Sequence, residues 1–565
     1  MQIKSILDSL ITQSLKKIGV DDVLVRVTEA TKPEFGDYQF NGAMALAKKL
    51  RKAPRLIAQD IVENIPENEI LESVEIAGAG FINMRIKKEW LESTILEFIK
   101  DNRLLVSKNT APKRVVVDYS SPNMAKQMHV GHLRSTIIGD TLANLFDFLG
   151  DEVIRQNHIG DWGTQFGMLI AYLEELGDGA EGSLSDIEEF YKKAKKRFDS
   201  DESFANLSRE YVVKLQGGDV KCLELWDKFI DKSLSHCEEV YSKLNVKLTR
   251  EDVKAESSYN DELPKIVEDL EKKGLLKESQ GAKCVFIDGE ENPLIIQKSD
   301  GGYLYATTDL AAIRFRVQRL GAKRVSYVVD ARQSEHFKQV FTVAKMAGYV
   351  KDDTLLEHIA FGVMLDKSGK PFKTRDGGTV KLISLLEEAV KRAKNSISRR
   401  EEYTQEELEK VAEIIGVGAV KYADLSINRE SDYIFDWDKM LNLNGNTSLY
   451  QQYAYARIKS IFRKFDGELE NICTLENPLE RSLALKLLQL EDTLRICAKE
   501  AKPHYLTTYL YELTTLFMKF YESCPILKDD IDENSKQTRL LLAKGVADTI
   551  EASFKILGIG VLDRI

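Results

Sequence analysis

Three features of this 565-residue chain predict a multidomain α/β protein built around a doubly wound parallel sheet. The length exceeds what one hydrophobic core serves, so roughly three to five domains are expected. Between about 113 and 385, β-branched runs alternate with helical periodicity, the pattern of strands joined by crossover helices. After about 386 the strand signal nearly vanishes, and apolar residues recur at helical spacing.

The first unit covers residues 1–108. Ile3, Ile6, Leu7, Leu10 and Ile11 lie on one helix face. The loop Glu34-Phe-Gly-Asp-Tyr-Gln39 follows, then a helix from Ala43 to Leu50, and Val74–Asn83 reads as a strand with a glycine turn. This mixture marks an α+β domain, bounded by the charged stretch from Lys108 to Lys113.

The second unit covers 113–385. Its first strand is the β-branched run Arg114-Val-Val-Val-Asp118. A loop then carries His129, Gly131 and His132. Leu133, Ile137, Ile138, Leu142, Leu145, Phe146 and Leu149 repeat at the period of one helix face, and Gly150 supplies the stop. Further strands are expected at 325–329 and 359–364. The charge-rich stretch of about 180–290 reads as a helical insertion between the two halves of a nucleotide fold. The third unit, 386–565, is expected to be an all-α helical bundle. Leu483, Leu487, Leu490, Leu494 and Cys497 share one helical face, as do Leu513, Leu516, Phe517, Phe520 and Tyr521. No internal repeat is evident.

Composition narrows the classes. Hydrophobic content of 43% and charged content of 30% describe a globular chain. No run of about 18 uncharged apolar residues occurs, so no transmembrane helix is expected. Asp8 and later lysines interrupt any signal-peptide core. The six cysteines are scattered without a CxxC pair, as in reduced cytoplasmic proteins. A net charge of −10 argues by itself against a nucleic-acid partner, but a local basic face suffices for phosphate contacts in a multidomain chain.

A strand, a loop and a helix N-terminus form the usual phosphate site of an α/β sheet. Here two imidazoles stand where a run of glycines is more common. Imidazole can donate to phosphate oxygens, and Gly131 lets a ligand approach the backbone. By spacing alone, His129 and His132 also read as surface histidines at a helix start or as two metal ligands. No Cys, Asp or Glu cluster with zinc-like spacing accompanies them.

The whole string SSPNMAKQMHVGHLRSTIIGD, Ser120 to Asp140, resembles the HIGH motif of class I aminoacyl-tRNA synthetases in the form carried by arginyl-tRNA synthetases. The resemblance spans essentially the full chain. It includes NHIGDWGTQFG (157–167), DGGYLYATTDLA (300–311), DARQSEHF (330–337) and FGVMLDKSGKPFKTRDGGTVKL (361–382). It implies a Rossmann-like catalytic domain, an N-terminal domain that touches the tRNA corner, and a helical anticodon-binding domain. It implies ATP, Mg²⁺, L-arginine and tRNA(Arg) as ligands, and a cytoplasmic monomer. Residue by residue, the resemblance assigns His129, His132 and Lys126 to catalysis. Gly131, Gly362, Val363, Met364 and Lys373 join the two histidines around ATP. Asp118, Ser120, Asn123, Tyr305, Asp309 and Gln333 fall around arginine. Phe35, Gln39, Phe81, Asn83, Tyr453 and Arg457 fall on the tRNA surface. A catalytically degenerate tRNA-binding relative is the alternative; a nucleotidyltransferase with the same HxGH element would leave the helical third unexplained.

The residues suit this chemistry. A guanidinium presents five donors in a plane, and a carboxylate accepts two in parallel. Asp118 ends the first strand, and Asp309 lies four residues after Tyr305, on the same face if that segment is helical. Asp309 also follows Thr307 and Thr308, and spacing alone favours a helix cap there; the family resemblance favours the arginine contact. Lysine lacks the fork and would leave buried acceptors unpaired, a discrimination that can reach on the order of 10⁴-fold, so no editing domain is expected.

The class I KMSKS loop appears here as Phe372-Lys-Thr-Arg-Asp-Gly377, with Asp376 at a position the family makes basic. Lys126, three residues before His129, is expected to compensate, with Lys370, Lys373 and Arg375 nearby. A charged surface turn on Gly369, Pro371, Gly377 and Gly378 is the alternative. Tyr450-Gln-Gln-Tyr-Ala-Tyr-Ala-Arg457 mixes aromatics with cations, which suits unstacked bases and equally suits a core helix with a basic edge.

Overall fold

The computed structural model describes residues 3–177, 187–372, 380–397 and 403–565. At its centre four parallel strands stand in the order Leu355–His358, Arg324–Tyr327, Arg114–Asp118, Glu152–Gln156. Val115, Val116 and Val117 are almost fully buried, as a strand covered on both faces requires. From Arg114–Asp118 the chain moves one way to Glu152–Gln156 and later the other way to Arg324–Tyr327. The topological switch point therefore lies between Asp118 and Tyr327, and a ligand crevice is expected outside these strand ends.

The helix Val130–Phe148 covers one face and ends, as expected, before Gly150, whose φ is +92°. The strand expected at 359–364 is displaced. Pairing occurs at Leu355–His358, and Met364–Leu365 forms a separate two-residue parallel pair with Tyr433–Ile434. Ile359 and Phe361 are buried just past the strand, held by single contacts: the Ile359 N–H donates to Tyr327 O (2.8 Å) and Phe361 forms an isolated bridge with Asp330. Since Tyr433–Ile434 joins the catalytic half, and the helix Leu382–Ile397 runs through residue 385, the division expected at 385/386 falls inside a continuous element.

The insertion is not wholly helical. Its helices include Ile187–Ser200, Glu202–Gln216, Val220–Lys243 and Leu263–Lys272. Then Leu276–Ser279, Ala282–Val285 and Leu294–Gln297 form a three-stranded antiparallel sheet. The first hairpin turns on Gln280 (φ +51°) and Gly281 (φ +78°), the left-handed pair of a tight two-residue loop.

The N-terminal domain carries the expected helices Ile3–Lys17 and Ala43–Leu50. Val74–Asn83 resolves into a hairpin, Leu71–Ala77 and Phe81–Ile86, within a four-stranded antiparallel sheet. Ile82, Met84 and Ile86 point into the core, so Phe81 and Asn83 take the opposite parity. Arg481 of the helical domain docks this unit through a two-pronged pair with Asp37, 2.9 and 2.8 Å. In the helical domain, the apolar face at 483–497 is buried as expected, but it spans two helices, Pro478–Leu488 and Leu490–Glu500. All six cysteines are free and buried. Among the described residues no helix is long and apolar enough to cross a membrane.

Candidate active site

At the switch point the loop Ser120–Ala125 is wound tightly. Ser120 (φ +70°), Ser121 (φ +45°) and Ala125 (φ +67°) all adopt left-handed backbone, at a cost of order 1–3 kcal/mol each. Side chains hold them there. The Ser120 N–H donates to Ser135 Oγ (2.9 Å), the Ser121 N–H to Asn157 Oδ1 (3.0 Å) and the Ala125 N–H to Ser233 Oγ (3.0 Å). The loop thus delivers His129 to the N-cap of the helix Val130–Phe148.

The two imidazoles form a reciprocal cap. His129 Nδ1 accepts from the Gly131 N–H, and His132 Nδ1 accepts from the His129 N–H, each at 3.1 Å. A ring nitrogen that accepts carries no proton, so each neutral ring bears its hydrogen on Nε2. The rings lie 4.0 Å apart between centroids. Burial first, and the His129 ring second, push His132 down to about 3; burial and then Lys126 lower His129. Both are therefore neutral donors near neutral pH. A Cβ on Gly131 would come 2.8 Å from the His129 ring, so glycine is required here to seat that ring.

A cavity of about 540 Å³ opens beside them, lined by Asp118, Asn123, His132, Tyr305, Asp309 and Gln333 among others. Asp309 is not a helix cap: the helix is Tyr305–Arg314, its N-cap is Leu304, and Asp309 stands one turn in. Asp309 Oδ2 lies 2.6 Å from His336 Nε2. Tyr305 is 72% exposed at the mouth, and Gln333 is an exposed residue at the rim.

Two of the residues expected around arginine line the cavity and are also engaged within the protein. Asp118 is already neutralised: its Oδ2 lies 2.9 Å from Nη2 of Arg316, a fully buried arginine whose Nε donates to Gln156 (2.6 Å). Arg316 is turned inward by a π-helical turn, Phe315–Arg319, directly after the helix that carries Asp309. Ser120 is likewise committed, its hydroxyl joined to Tyr241 (2.7 Å) and accepting from Thr136 (3.0 Å). The carboxylate that faces Asp309 across the cavity region is Glu256, which the sequence reading did not single out. Burial, then Asp161 and Asp309, push Glu256 up to about 7. It has no ion pair among the described residues and lines the same cavity as Asp309. His158 and His336 also line the cavity. Both stood inside motifs already quoted, but spacing gave no sign of their direction.

The segment expected at ATP continues from the cavity wall at Phe361. The Gly362 N–H donates to Arg429 O (2.9 Å), the Val363 N–H to Asp432 Oδ1 (2.7 Å), and Met364 begins the short strand. Lys126 flanks the cavity; its ammonium lies 4.9 Å over the ring of Tyr191 from the insertion. Lys373, Arg375 and Asp376 lie outside the described residues. The chain re-enters at Val380, whose carbonyl accepts from the Val130 N–H (3.0 Å), while the Leu382 N–H donates to Met128 O (3.0 Å). Val380 and Leu382 thus lie against the segment that carries His129.

The tRNA candidates form separate patches. Gln39 and Asn83 face each other across paired strands, Gln39 Nε2 donating to Asn83 Oδ1 (2.7 Å), with Phe81 on the same face. Phe35 sits apart on the turn Pro33–Phe35. In the helical domain, Tyr453 and Arg457 line a larger cleft of about 940 Å³ with Arg463, Lys464, Tyr521 and Lys528. Arg457 donates to the Tyr453 hydroxyl (2.6 Å) and lies over the Tyr453 and Tyr521 rings.

A parallel nucleotide-binding sheet with a reciprocal histidine pair at its switch point, followed by a helical domain, defines a class I aminoacyl-tRNA synthetase. Residues 94–437 match the family described as "tRNA synthetases class I (R), catalytic domain", residues 451–565 the "DALR anticodon binding domain", and residues 5–86 the "Arginyl tRNA synthetase N terminal domain". The arginine–tRNA ligase of Alteromonas mediterranea is 51% identical over 576 residues, with 100% of each chain covered; that of Pseudoalteromonas atlantica is 53% identical over 551 residues, 95% of each. The arginyl-tRNA synthetase structure from Plasmodium falciparum superposes with a TM-score of 0.88 at 32% identity, and that from Thermus thermophilus with 0.85 at 26%, each covering 100% of both chains. The chain belongs to the arginyl-tRNA synthetase family.

Proposed function

We propose that this enzyme joins L-arginine to ATP as arginyl-adenylate, releasing pyrophosphate, and then transfers arginine to the 3′-terminal adenosine of tRNA(Arg). The observation that carries the proposal is the cavity itself. Neutral His132 with its Nε2 donor lines it together with the carboxyls of Asp309 and Glu256, and the His129 ring lies 4.0 Å from that of His132. In the first step the arginine carboxylate attacks the α-phosphorus and the bond to pyrophosphate breaks. Proteins assist such transfers by positioning and by stabilising spreading negative charge. His129 and His132 donate to phosphate oxygens without titrating, and the helix N-terminus beneath them adds its dipole.

Asp309 and Glu256 hold the guanidinium, with Tyr305, Asn123 and Gln333 around the rest of the amino acid. Asp118 lines the same cavity while paired to Arg316. The segment Gly362–Met364 packs alongside the nucleotide, and Lys126 and Lys373 offer charge to the leaving phosphates. Mg²⁺ would enter on the phosphates of ATP; the described residues hold no group of three or more His, Cys, Asp or Glu able to bind a metal. The Tyr453–Arg457 cleft suits anticodon bases and the Gln39–Asn83 face suits the tRNA corner. The enzyme works as a cytoplasmic monomer on this reading. Charging of bulk tRNA with each of the twenty amino acids tests it: arginine alone should be attached, and attachment of none or of another refutes it.

A further inference from the structure

The helix that bears the histidine pair also bears Arg134, among the largest fully buried side chains of the protein. A buried guanidinium is costly unless its charge and donors are met. Arg134 Nη1 donates to the carbonyl oxygens of Gly362 (2.7 Å) and Ser431 (3.1 Å). Its Nε lies 3.1 Å from Asp424 Oδ2, and Asp424 is itself 1% exposed. The guanidinium also faces the rings of Phe361 (5.8 Å) and Tyr433 (5.2 Å). The partners come from three places: the Phe361–Gly362 segment, the helix Gln405–Leu425, and Ser431 with Tyr433 at the start of the strand pairing with Met364–Leu365. Gly362 is hemmed in on the other side as well, since a Cβ there would come 2.5 Å from Asp432 Oδ1 and 2.7 Å from Ser431 backbone.

We infer that Arg134 is a positioning residue, which fixes the backbone Gly362–Met364 in register with His129 and His132 so that the two ends of the ATP site form one rigid unit. The inference rests on the reading above that Gly362–Met364 meets ATP. Lysine cannot substitute, because a single ammonium cannot span two carbonyls and a carboxylate while facing two rings.

The test compares Arg134→Lys, Arg134→Met and Asp432→Ala in the full-length enzyme with tRNA present. It reads KM for ATP, KM for arginine and melting temperature. Both Arg134 variants should raise KM for ATP at least tenfold and leave KM for arginine within twofold. Asp432→Ala frees the Val363 N–H without touching Arg134 and should raise KM for ATP too. If Asp432→Ala raises it and Arg134→Lys does not, the inference is overturned while the ATP reading stands. If neither raises it, Gly362–Met364 does not meet ATP and both fail. Equal losses for ATP and arginine with a lowered melting temperature make Arg134 merely structural, which also overturns the inference. Should Arg134→Met not fold, Arg134→Lys decides.

Discussion

Replacing Glu256 by Gln keeps a side chain of nearly the same shape and removes its charge and its proton. Burial, and then Asp161 and Asp309, hold this carboxyl at about 7. A guanidinium beside it favours the ionised form. Below about pH 7 the free enzyme keeps a proton on Glu256 that must leave when arginine binds. Arginine affinity is therefore complete above about 7 and is lost as pH falls through it, by about tenfold, or about 1.4 kcal/mol, per unit. Between pH 8 and pH 6 the dissociation constant of the parent should rise about tenfold from this group, with nearly one proton released per arginine at pH 6. In Glu256→Gln that slope and that proton vanish. The affinity at pH 8 falls by about 2–5 kcal/mol, because Asp309 and the substrate lose a charged partner. Titration calorimetry at pH 6, 7 and 8, in two buffers of different ionisation enthalpy, reads affinity and proton count together. His336 stays bonded to Asp309 in both proteins, so the difference between them isolates Glu256. Equal pH slopes in parent and variant would refute the assignment of Glu256 to the guanidinium.

His129→Ala and His132→Ala should each slow adenylate formation by ~10²-fold or more with little change in arginine affinity, since their donors act on charge that grows in the transition state; single-turnover rates check this, and near-normal rates in both variants contradict it. Asp309→Asn should weaken arginine binding by about 2–5 kcal/mol. ATP binding should be nearly unchanged, and neutral citrulline should suffer less than arginine; calorimetry on the three ligands decides. Lys126→Ala should slow the activation step while arginine affinity is kept, because its ammonium lies beside His129 and outside the cavity lining; an unchanged single-turnover rate would remove Lys126 from the catalytic set.

What could be read from the sequence was what depends on neighbours along the chain. The strand Arg114–Asp118 and the helix beginning at Val130 follow from local periodicity, and the structure has them; Tyr305 and Asp309, expected on one face only if their segment was helical, do share a helix. The segment 359–364 misled because buried loops and buried strands are equally apolar; only pairing tells them apart, and pairing is not local. The sheet at 276–297 was hidden by its charges, as Lys277, Glu278 and Lys283 lie on short strands with one wet face. The arginine pocket was half legible. Asp118 was placed at the substrate by its position at the end of the first strand and by the family resemblance; its pairing with Arg316 was not legible, because that contact arises through tertiary folding and a π-helical turn. Glu256 was missed for the converse reason: a single carboxylate in a charged stretch has no signature until the fold buries it beside Asp309.

The most direct test of this account is a crystal structure of the enzyme with arginine and a non-hydrolysable ATP analogue. The guanidinium should lie within hydrogen-bonding distance of Asp309 and Glu256, with Asp118 still paired to Arg316, and phosphate oxygens should meet Nε2 of His129 and His132. A guanidinium seated on Asp118 with Arg316 displaced, or phosphates remote from both imidazoles, would contradict it.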